Sequence, residues 1–243
     1  MTPGASRGRA QRGGPARGGG GSRRGAKQSA PKQKIVFDAR PAPSEEPAGP
    51  FRLGAIPGAT PGKWIDIWKD RMPRTPLELV HLDVVVQRAA IVDGDVDAAI
   101  VRLPLDRTGL SVIALYDEVT VAVCSADSAL TAADELTLDD LAGEVRIVPL
   151  DDVVRTEVPG TTAPAFEPLE TTADAVATVA AGTGVVLMPL SLARLHHRKD
   201  AEYRPVVDAP GTSVALAWRT DATTELVETF IGIVRGRTAN SSR

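Results

Sequence analysis

The segment from Pro57 to Pro61 has residue types that suit the binding of a small anion. It follows an apolar run beginning at Phe51 and precedes a predicted helix, in which Pro61 is typical of the first turn. Gly58 would allow a ligand close to the backbone, the Thr60 hydroxyl could donate a hydrogen bond, and the helix start carries a partial positive charge that attracts a carboxylate. Thr60 could equally well only cap its own helix, so two interpretations stay open.

Arg102 is a second candidate for binding an acidic group. It lies at the end of a predicted buried strand, beside Leu103, which we expect to face the same site. A guanidinium can hold a carboxylate through two parallel hydrogen bonds, which gives both affinity and orientation. The alternative interpretation is an arginine exposed to solvent beside Asp106.

The second half of the chain offers candidates at equivalent positions. In open α/β sheets, ligands bind beyond the carboxyl ends of strands, where helix starts present free N–H groups. The residues expected at such positions are Pro149, Thr171, Thr172, Met188 and Ser191. Thr172 has the same two interpretations as Thr60, a ligand contact or a helix cap. The adjacent Asp151 and Asp152 would repel an acidic ligand or bind an amine, unless they belong to a solvated loop.

Motifs for catalysis or metal binding are missing from the sequence. One cysteine, Cys124, and three histidines give no spacing typical of a metal site. There is no GxSxG nucleophile motif, and the glycine-rich stretch before Lys63 and Trp64 lacks the serine or threonine that a phosphate loop requires. We therefore expect no enzyme activity, no catalytic residue, no metal and no cofactor.

Alternating strand-like and helix-like segments must position these candidates. The first unit reads as strands over residues 51–56, 77–82 and 96–103 with helices over 60–72 and 84–92, a βαβαβ arrangement with a parallel sheet. Strand-like runs over 110–115 and 119–124 and a short helix over 138–141 follow it. A second unit, beginning with residues 146–150, adds a helix over 172–181, strands over 185–188, 203–207 and 213–218, and a final amphipathic helix. This order predicts an α/β protein with two lobes.

The first 34 residues differ sharply in composition from the remainder. They contain six Arg, three Lys and nine Gly, with no acidic residue and no Val, Ile, Leu, Phe, Tyr or Trp. Since the net charge of the whole chain is −3, a tail charge of +9 leaves −12 on the rest. Without apolar side chains to bury, the tail is predicted to be disordered, and prolines extend the linker to residue 50.

The arginines of this tail suit loose contact with phosphate groups. Flexible glycines would let each guanidinium reach an anion independently, which gives non-specific nucleic-acid binding. The alternative is a solubilising leader with no dedicated partner, since no aromatic residue is interleaved to stack on bases. The arginines concerned are Arg7, Arg9, Arg12, Arg17, Arg23 and Arg24.

Membrane insertion is not expected. No stretch approaches the roughly 20 consecutive apolar residues that span a bilayer, and the N-terminus has no apolar segment typical of a secretory signal. We therefore expect a cytoplasmic protein.

Five motifs follow one another along the chain: Phe51-Arg-Leu-Gly-Ala, Pro76-Leu-Glu-Leu, Asp93-Gly-Asp-Val-Asp-Ala-Ala-Ile100, Leu138-Asp-Asp-Leu141 and Val179-Ala-Ala-Gly-Thr-Gly-Val-Val-Leu-Met-Pro189. In this order they resemble the effector-binding domain of LysR-type transcriptional regulators. The resemblance covers about residues 51–237. It implies two Rossmann-like lobes joined by two crossover strands, similar to type 2 periplasmic binding proteins, with a small-molecule site in the cleft.

The resemblance also implies how the chain is divided and assembled. We expect residues 1–50 to form the basic tail and linker, residues 51–118 plus 213–243 to form lobe I, and residues 119–212 to form lobe II. A homodimer is expected, because the first helix, which carries Trp64 and Trp68, faces a partner subunit in this family. The alternative is that both tryptophans are buried within one subunit.

Two departures from the family pattern bear on function. The Gly/Arg tail replaces the helix-turn-helix of these regulators, so we expect no sequence-specific DNA reading. Residues 151–167 also depart, because Pro159, Gly160, Pro164 and Pro168 occupy the place of the first helix of lobe II, so that side of the cleft is expected to be remodelled.

The function expected from these observations is the binding of a small anionic metabolite by a LysR-like regulatory protein without its own DNA-reading domain. Two alternatives remain open: an enzyme on the same two-lobed scaffold, or a protein that binds nucleic acid non-specifically through its tail.

Overall fold

The structure is a computed structural model and describes residues 49–236. The predictions made for the basic tail, including its disorder, its nucleic-acid contacts and the missing helix-turn-helix, fall outside these residues.

Residues 49–236 form eight strands and five α-helices. The strands are β1 (Phe51–Ala55), β2 (Leu77–His81), β3 (Ala98–Arg102), β4 (Leu110–Glu118), β5 (Thr120–Ser125), β6 (Val186–Pro189), β7 (Ala201–Pro205) and β8 (Thr212–Arg219). The helices are α1 (Gly62–Arg71), α2 (Gln87–Val92), α3 (Thr172–Ala180), α4 (Leu190–Leu195) and α5 (Glu225–Val234). The predicted α/β fold is confirmed.

The first sheet has five strands in the order β2-β1-β3-β8-β4. Strands β1, β2 and β3 are parallel, as the predicted βαβαβ unit requires, whereas β8 runs antiparallel to both β3 and β4. Its core is aromatic: the Phe51 and Trp68 rings stack at 4.6 Å between centroids, and Phe230 of α5 lies 5.2 Å from Phe51. Trp68 is thus buried within its own subunit, while Trp64 is only partly buried against this core.

The second sheet has three strands in the order β6-β5-β7, with β5 antiparallel to both neighbours. Helices α3 and α4 pack on it and share its apolar core with Val121, Ile147 and Met188. Residues 146–150, which begin the predicted second unit, do not form a strand. Only single bridges join Val145 to Thr162 and Arg146 to Val185, because the proline-rich stretch that follows supplies no continuous partner strand.

The chain crosses between the two sheets twice. It leaves the first sheet at Glu118 and enters the second at Thr120, then returns between Pro205 and Thr212. The two crossings contact each other, since the Thr120 hydroxyl donates to the Pro210 carbonyl at 2.7 Å. Every ligand site expected between the sheets must therefore lie beside these two short segments.

A membrane-spanning helix and a metal site are both absent from the described part of the chain. Among residues 49–236 no helix is long and apolar enough to cross a membrane. Within the same range, no group of His, Cys, Asp and Glu is arranged to hold a metal ion.

Candidate functional site

The candidate site lies where strand ends of both sheets meet the two crossings. Strands β1, β2 and β3 are parallel, so their carboxyl ends share the edge at which β4 ends and β8 begins. In the second sheet, β5 begins and β6 and β7 end at the edge that the crossings reach. The predicted residues Gly58, Arg102 and Ser191 all belong to these edges, which is the position that open α/β sheets use for ligands.

Gly58 and Ser191 bring the two sheets into direct contact. Gly58 follows β1 with a φ of +84°, and a Cβ atom placed on it would lie 2.5 Å from the Ser191 Oγ at the start of α4. Both the backbone conformation and this close approach require glycine. The start of α4 is also attached to the first crossing, because the Leu190 N–H donates to the Val119 carbonyl at 3.0 Å.

The hydroxyl of Ser191 is buried and has no hydrogen-bond partner within the described residues. Most buried hydroxyls in proteins are paired, because leaving one unpaired costs the desolvation free energy of the group. An acceptor or donor at this point would therefore be favourable.

The start of α1, beside Gly58, carries no charge-compensating group of its own. Its N-cap residue is Pro61, no side chain caps it, and its first turn contains no acidic residue. The interpretation of Thr60 as a helix cap is therefore wrong, and Thr60 is exposed. Whether Thr60 contacts a ligand stays a prediction.

Arg102 is buried, with a relative exposure of 2%, so the interpretation as a solvent-exposed residue beside Asp106 is wrong. Its Nη1 donates to the Glu118 Oε2 at 2.5 Å and to the Thr212 Oγ1 at 2.7 Å. Asp106 instead pairs with Arg88 at 3.2 Å. The guanidinium predicted to bind a ligand carboxylate thus already binds a carboxylate of its own chain, and its role toward a ligand stays a prediction.

Two neighbours complete the surroundings of Arg102. The Gln87 side chain bonds both backbone groups of Arg102, accepting from its N–H at 2.8 Å and donating to its carbonyl at 3.0 Å. Tyr116 lies close enough to the ion pair for both charges to affect the pKa of its phenol. Burial raises the pKa of Tyr116, the Glu118 charge raises it further, and the Arg102 charge opposes them.

The start of α3 is capped by Thr171 and not by Thr172, which corrects the cap interpretation of Thr172. The Thr171 hydroxyl accepts from the Asp174 N–H at 3.1 Å and donates to the Asp174 carboxylate at 2.7 Å. Thr172 is buried and donates to the Asp151 Oδ1 at 2.8 Å. Two carboxylates of the chain therefore already face this helix start, which suits the dipole.

The remaining predicted residues have apolar surroundings. Pro149 and Met188 are buried, and Met188 belongs to the core of the second sheet. Leu103 is partly buried, packs against the core of the first sheet and donates its N–H to the Ser213 carbonyl at 2.9 Å. Leu150, next to Pro149, is 65% exposed. Their contact with a ligand stays a prediction.

Two surface cavities of the described residues lie away from this site. One, of about 700 Å³, is lined by Arg52, Asp97 and Glu225 at the start of the first sheet. The other, of about 220 Å³, is lined by Ser125, Glu144 and Gly184 at the far end of the second sheet. Neither contains a predicted ligand-binding residue.

The sequence of residues 44–239 matches the profile of the LysR substrate binding domain family. The chain belongs to this family. Among curated relatives, the Hca operon transcriptional activator HcaR of Escherichia coli K12 is 28% identical over an alignment of 206 positions, which covers 77% of this chain and 68% of HcaR. The resemblance inferred from the five motifs is confirmed.

Solved structures of LysR-type regulators share the fold of this LysR substrate binding domain. The reduced OxyR regulatory domain from Pseudomonas aeruginosa superposes with a TM-score of 0.61 at 24% identity, covering 78% of this chain and 96% of that one. The BenM effector binding domain with its effector benzoate gives a TM-score of 0.64 at 19% identity, covering 77% of this chain and 91% of that one. At these identities the likeness concerns the fold alone.

Sequence reasoning missed the partners of Arg102. The sequence patterns do not identify Glu118, Gln87 or Thr212 as partners. They place residues 116–118 between two strand-like runs. The usable signal was the polar pair Asp117-Glu118 between those runs, because a carboxylate at the end of a largely apolar strand requires a cation nearby.

Proposed function

We propose that this LysR substrate binding domain binds a small carboxylate effector between the ends of its two sheets and transmits binding through protein contacts. In this proposal, residues 51–118 plus 213–243 act as one lobe and residues 119–212 as the other. The protein would act in the cytoplasm, where transcription is regulated, and without catalysis.

The observation that supports this site most directly is the buried hydroxyl of Ser191 against Gly58, which has no hydrogen-bond partner within residues 49–236. Ser191 lies in α4, which packs on the second sheet, and it faces the β1–α1 loop of the first sheet, so a ligand bound there would touch both lobes. An effector that contacts both lobes can favour one arrangement of them over another, which is the thermodynamic requirement for a regulatory response.

The proposed carboxylate is supported by the charge around the three predicted anion-binding groups. Arg102 is paired with Glu118, and the start of α3 faces Asp151 and Asp174. The start of α1 has neither an acidic residue in its first turn nor a side-chain cap. A carboxylate is therefore most favourable at α1, beside Ser191.

Thermal shift with benzoate and other small carboxylates would test this proposal. Binding to the native state raises the melting temperature by mass action, whereas the matching primary amides should give no shift. Ser191→Ala should weaken binding by about tenfold, since a hydrogen bond to a charged group contributes about 1.5 kcal/mol or more. Ser213→Ala, in the same protein, is the matched control and should bind like the parent.

A panel in which amides and carboxylates shift the melting temperature equally would contradict the carboxylate. A carboxylate that binds the Ser191→Ala variant as tightly as the parent would contradict the location.

We also propose that the domain forms a homodimer through the face of α1 and the edge strand β2. Ile67 on α1 is 37% exposed and Leu79 on β2 is 36% exposed, so two apolar side chains of neighbouring elements face solvent in the single chain. A partner surface that covers them would remove this apolar area from water.

Nucleic-acid binding by the tail is a second proposal that rests on charge alone. The +9 charge of residues 1–34 favours phosphate, and the −12 charge of the rest disfavours it. Any such binding is expected to be non-specific and to weaken steeply with salt.

A further inference from the structure

Buried polar residues are concentrated at the two crossings. Five polar residues are buried within residues 49–236. Thr120 and Thr212 begin the strands that follow the crossings, Arg102 ends β3 beside them, and Gln87 bonds the backbone of Arg102. Arg102 is the one charged residue in that set. Burying a guanidinium is costly unless it is paired and hydrogen-bonded, so the chain must hold its partners in place.

Arg102 contacts both crossings through one nitrogen atom. Its Nη1 reaches Glu118, the last residue before the chain leaves the first sheet, and Thr212, the first residue after it returns. The side chain of Glu118 is 9% exposed, so little solvent competes for this ion pair. Glu118 and Thr212 are also paired with each other in the β4–β8 ladder, so Arg102 binds the point at which both crossings join the first sheet.

The surroundings of the ion pair leave little room for adjustment. Gln87 clamps the backbone of Arg102 from α2, and a Cβ atom on Gly211 would lie 2.9 Å from the Glu118 carbonyl oxygen. The Thr120–Pro210 hydrogen bond then joins the crossings just beyond the ion pair. Arg102 makes its bonds to Glu118 and Thr212 through Nη1, whereas its buried Nε has no hydrogen-bond partner within the described residues. A close-packed cluster of this kind has few alternative arrangements.

We infer that Arg102 is a positioning residue that fixes the relative arrangement of the two sheets through Glu118 and Thr212. The inference extends the proposed function, because an effector site made from both sheets requires that their ends stay in register. It assigns to Arg102 a role that differs from direct ligand contact: the guanidinium acts on the effector through the crossings.

Distance measurements between spin labels in the effector-free full chain test this role. One label pair, at Lys69→Cys on α1 and Ala177→Cys on α3, spans the two sheets; both positions are exposed. A reference pair, at Lys69→Cys and Glu228→Cys on α5, lies on the first sheet alone. Cys124→Ala removes the native thiol from every sample.

Glu118→Gln should broaden or shift the distance distribution between the sheets and leave the reference pair unchanged. Thr212→Val, which keeps both charges and removes one hydroxyl, should produce a smaller change in the same direction. Asp221→Asn, which breaks an exposed ion pair of the same sheet with Arg219, is the matched control and should change neither distance.

Unchanged distances between the sheets in both folded variants would overturn the inference. Equal broadening of both label pairs would overturn it as well. Such a result would indicate that the first sheet itself is disordered, and not that its position relative to the second sheet has changed. If Glu118→Gln does not fold, as judged by circular dichroism, the Thr212→Val result decides. Since no effector is present, these outcomes are independent of the thermal-shift test of the proposed function.

Discussion

Gly58 must satisfy two separate conditions at one backbone position. Its φ of +84° lies in the region that side chains with a Cβ rarely adopt, and the space that a Cβ would fill is taken by Ser191. Either condition alone would favour glycine. Together they make this residue the most restrictive of the predicted site.

We expect Gly58→Ala to lower the free energy of unfolding by roughly 1 to 3 kcal/mol, because the new methyl group overpacks against Ser191 and the backbone is strained. Urea denaturation of the parent and the variant measures this difference. Gly62→Ala is the control: it lies in a helix with open space around it, and should leave stability equal or higher by up to about 1 kcal/mol. Equal stability of the Gly58 variant and the parent would contradict the close contact.

At the scale of single elements, the two helix starts of the site differ although their sequences look alike. Each helix has a threonine close to its start, and the sequence pattern predicts either a cap or a ligand contact for both Thr60 and Thr172. The structure separates them, because Thr171 caps α3 through the Asp174 N–H and Thr60 does not cap α1.

We expect Thr171→Ala to destabilise the protein by about 1 kcal/mol, through loss of the cap. Thr60→Ala should change stability by less than about 0.5 kcal/mol, which is typical of an exposed position. Thermal or urea unfolding of the two variants side by side measures both values. A loss of the same size in both would show that the cap assignment is incorrect.

Strands and helices with clear periodicity were predictable from the sequence. The three parallel strands and helices α1 and α3 lie within a few residues of their predicted ranges, because apolar spacing and terminal Gly or Pro mark them. The final amphipathic helix is also present, as α5. Residues 146–150 begin the predicted second unit but form no strand, since an apolar run alone does not supply a partner to pair with.

The positions of the candidate residues in the fold were more predictable than their hydrogen bonds. Gly58, Ser191 and Arg102 lie beside strand ends and helix starts, as the sequence pattern predicts, and their contact with a ligand stays a prediction. The partner of Arg102 was not foreseen, because Glu118 is 16 residues away in sequence and reaches it only through strand pairing with β8. Such contacts depend on register, which local sequence patterns do not specify.

At the scale of the whole molecule, the two tryptophans of α1 separate the core from the proposed dimer face. Trp68 stacks in the aromatic core of its own subunit, so it cannot contact a partner. Trp64 is only partly buried, and Ile67 and Leu79 expose apolar area nearby on α1 and β2. The homodimer thus stays a prediction. Its proposed surface consists of the exposed apolar side chains of α1 and β2 and does not include Trp68.

We expect the chain to sediment as a dimer at concentrations on the order of tens of micromolar, where stable dimers persist. Ile67→Glu should shift it to monomer, because a buried unpaired carboxylate is costly at an interface. Lys69→Glu, an equally drastic charge change on the same helix, should leave the dimer intact. Analytical ultracentrifugation distinguishes these cases, and a parent chain that sediments as a monomer would contradict the prediction.

Strand β8 lies between β3 and β4, although it is the last strand to leave the ribosome. During synthesis, residues 120–205 emerge from the ribosome before β8 does. Until then, the edges of β3 and β4 that pair with β8 have unpaired N–H and C=O groups. Nascent chains at this stage are the form most open to aggregation and to proteases. A premature stop before residue 212 would remove the strand that joins the two parts of the first sheet, so such a product would be degraded and would not accumulate as a shortened domain.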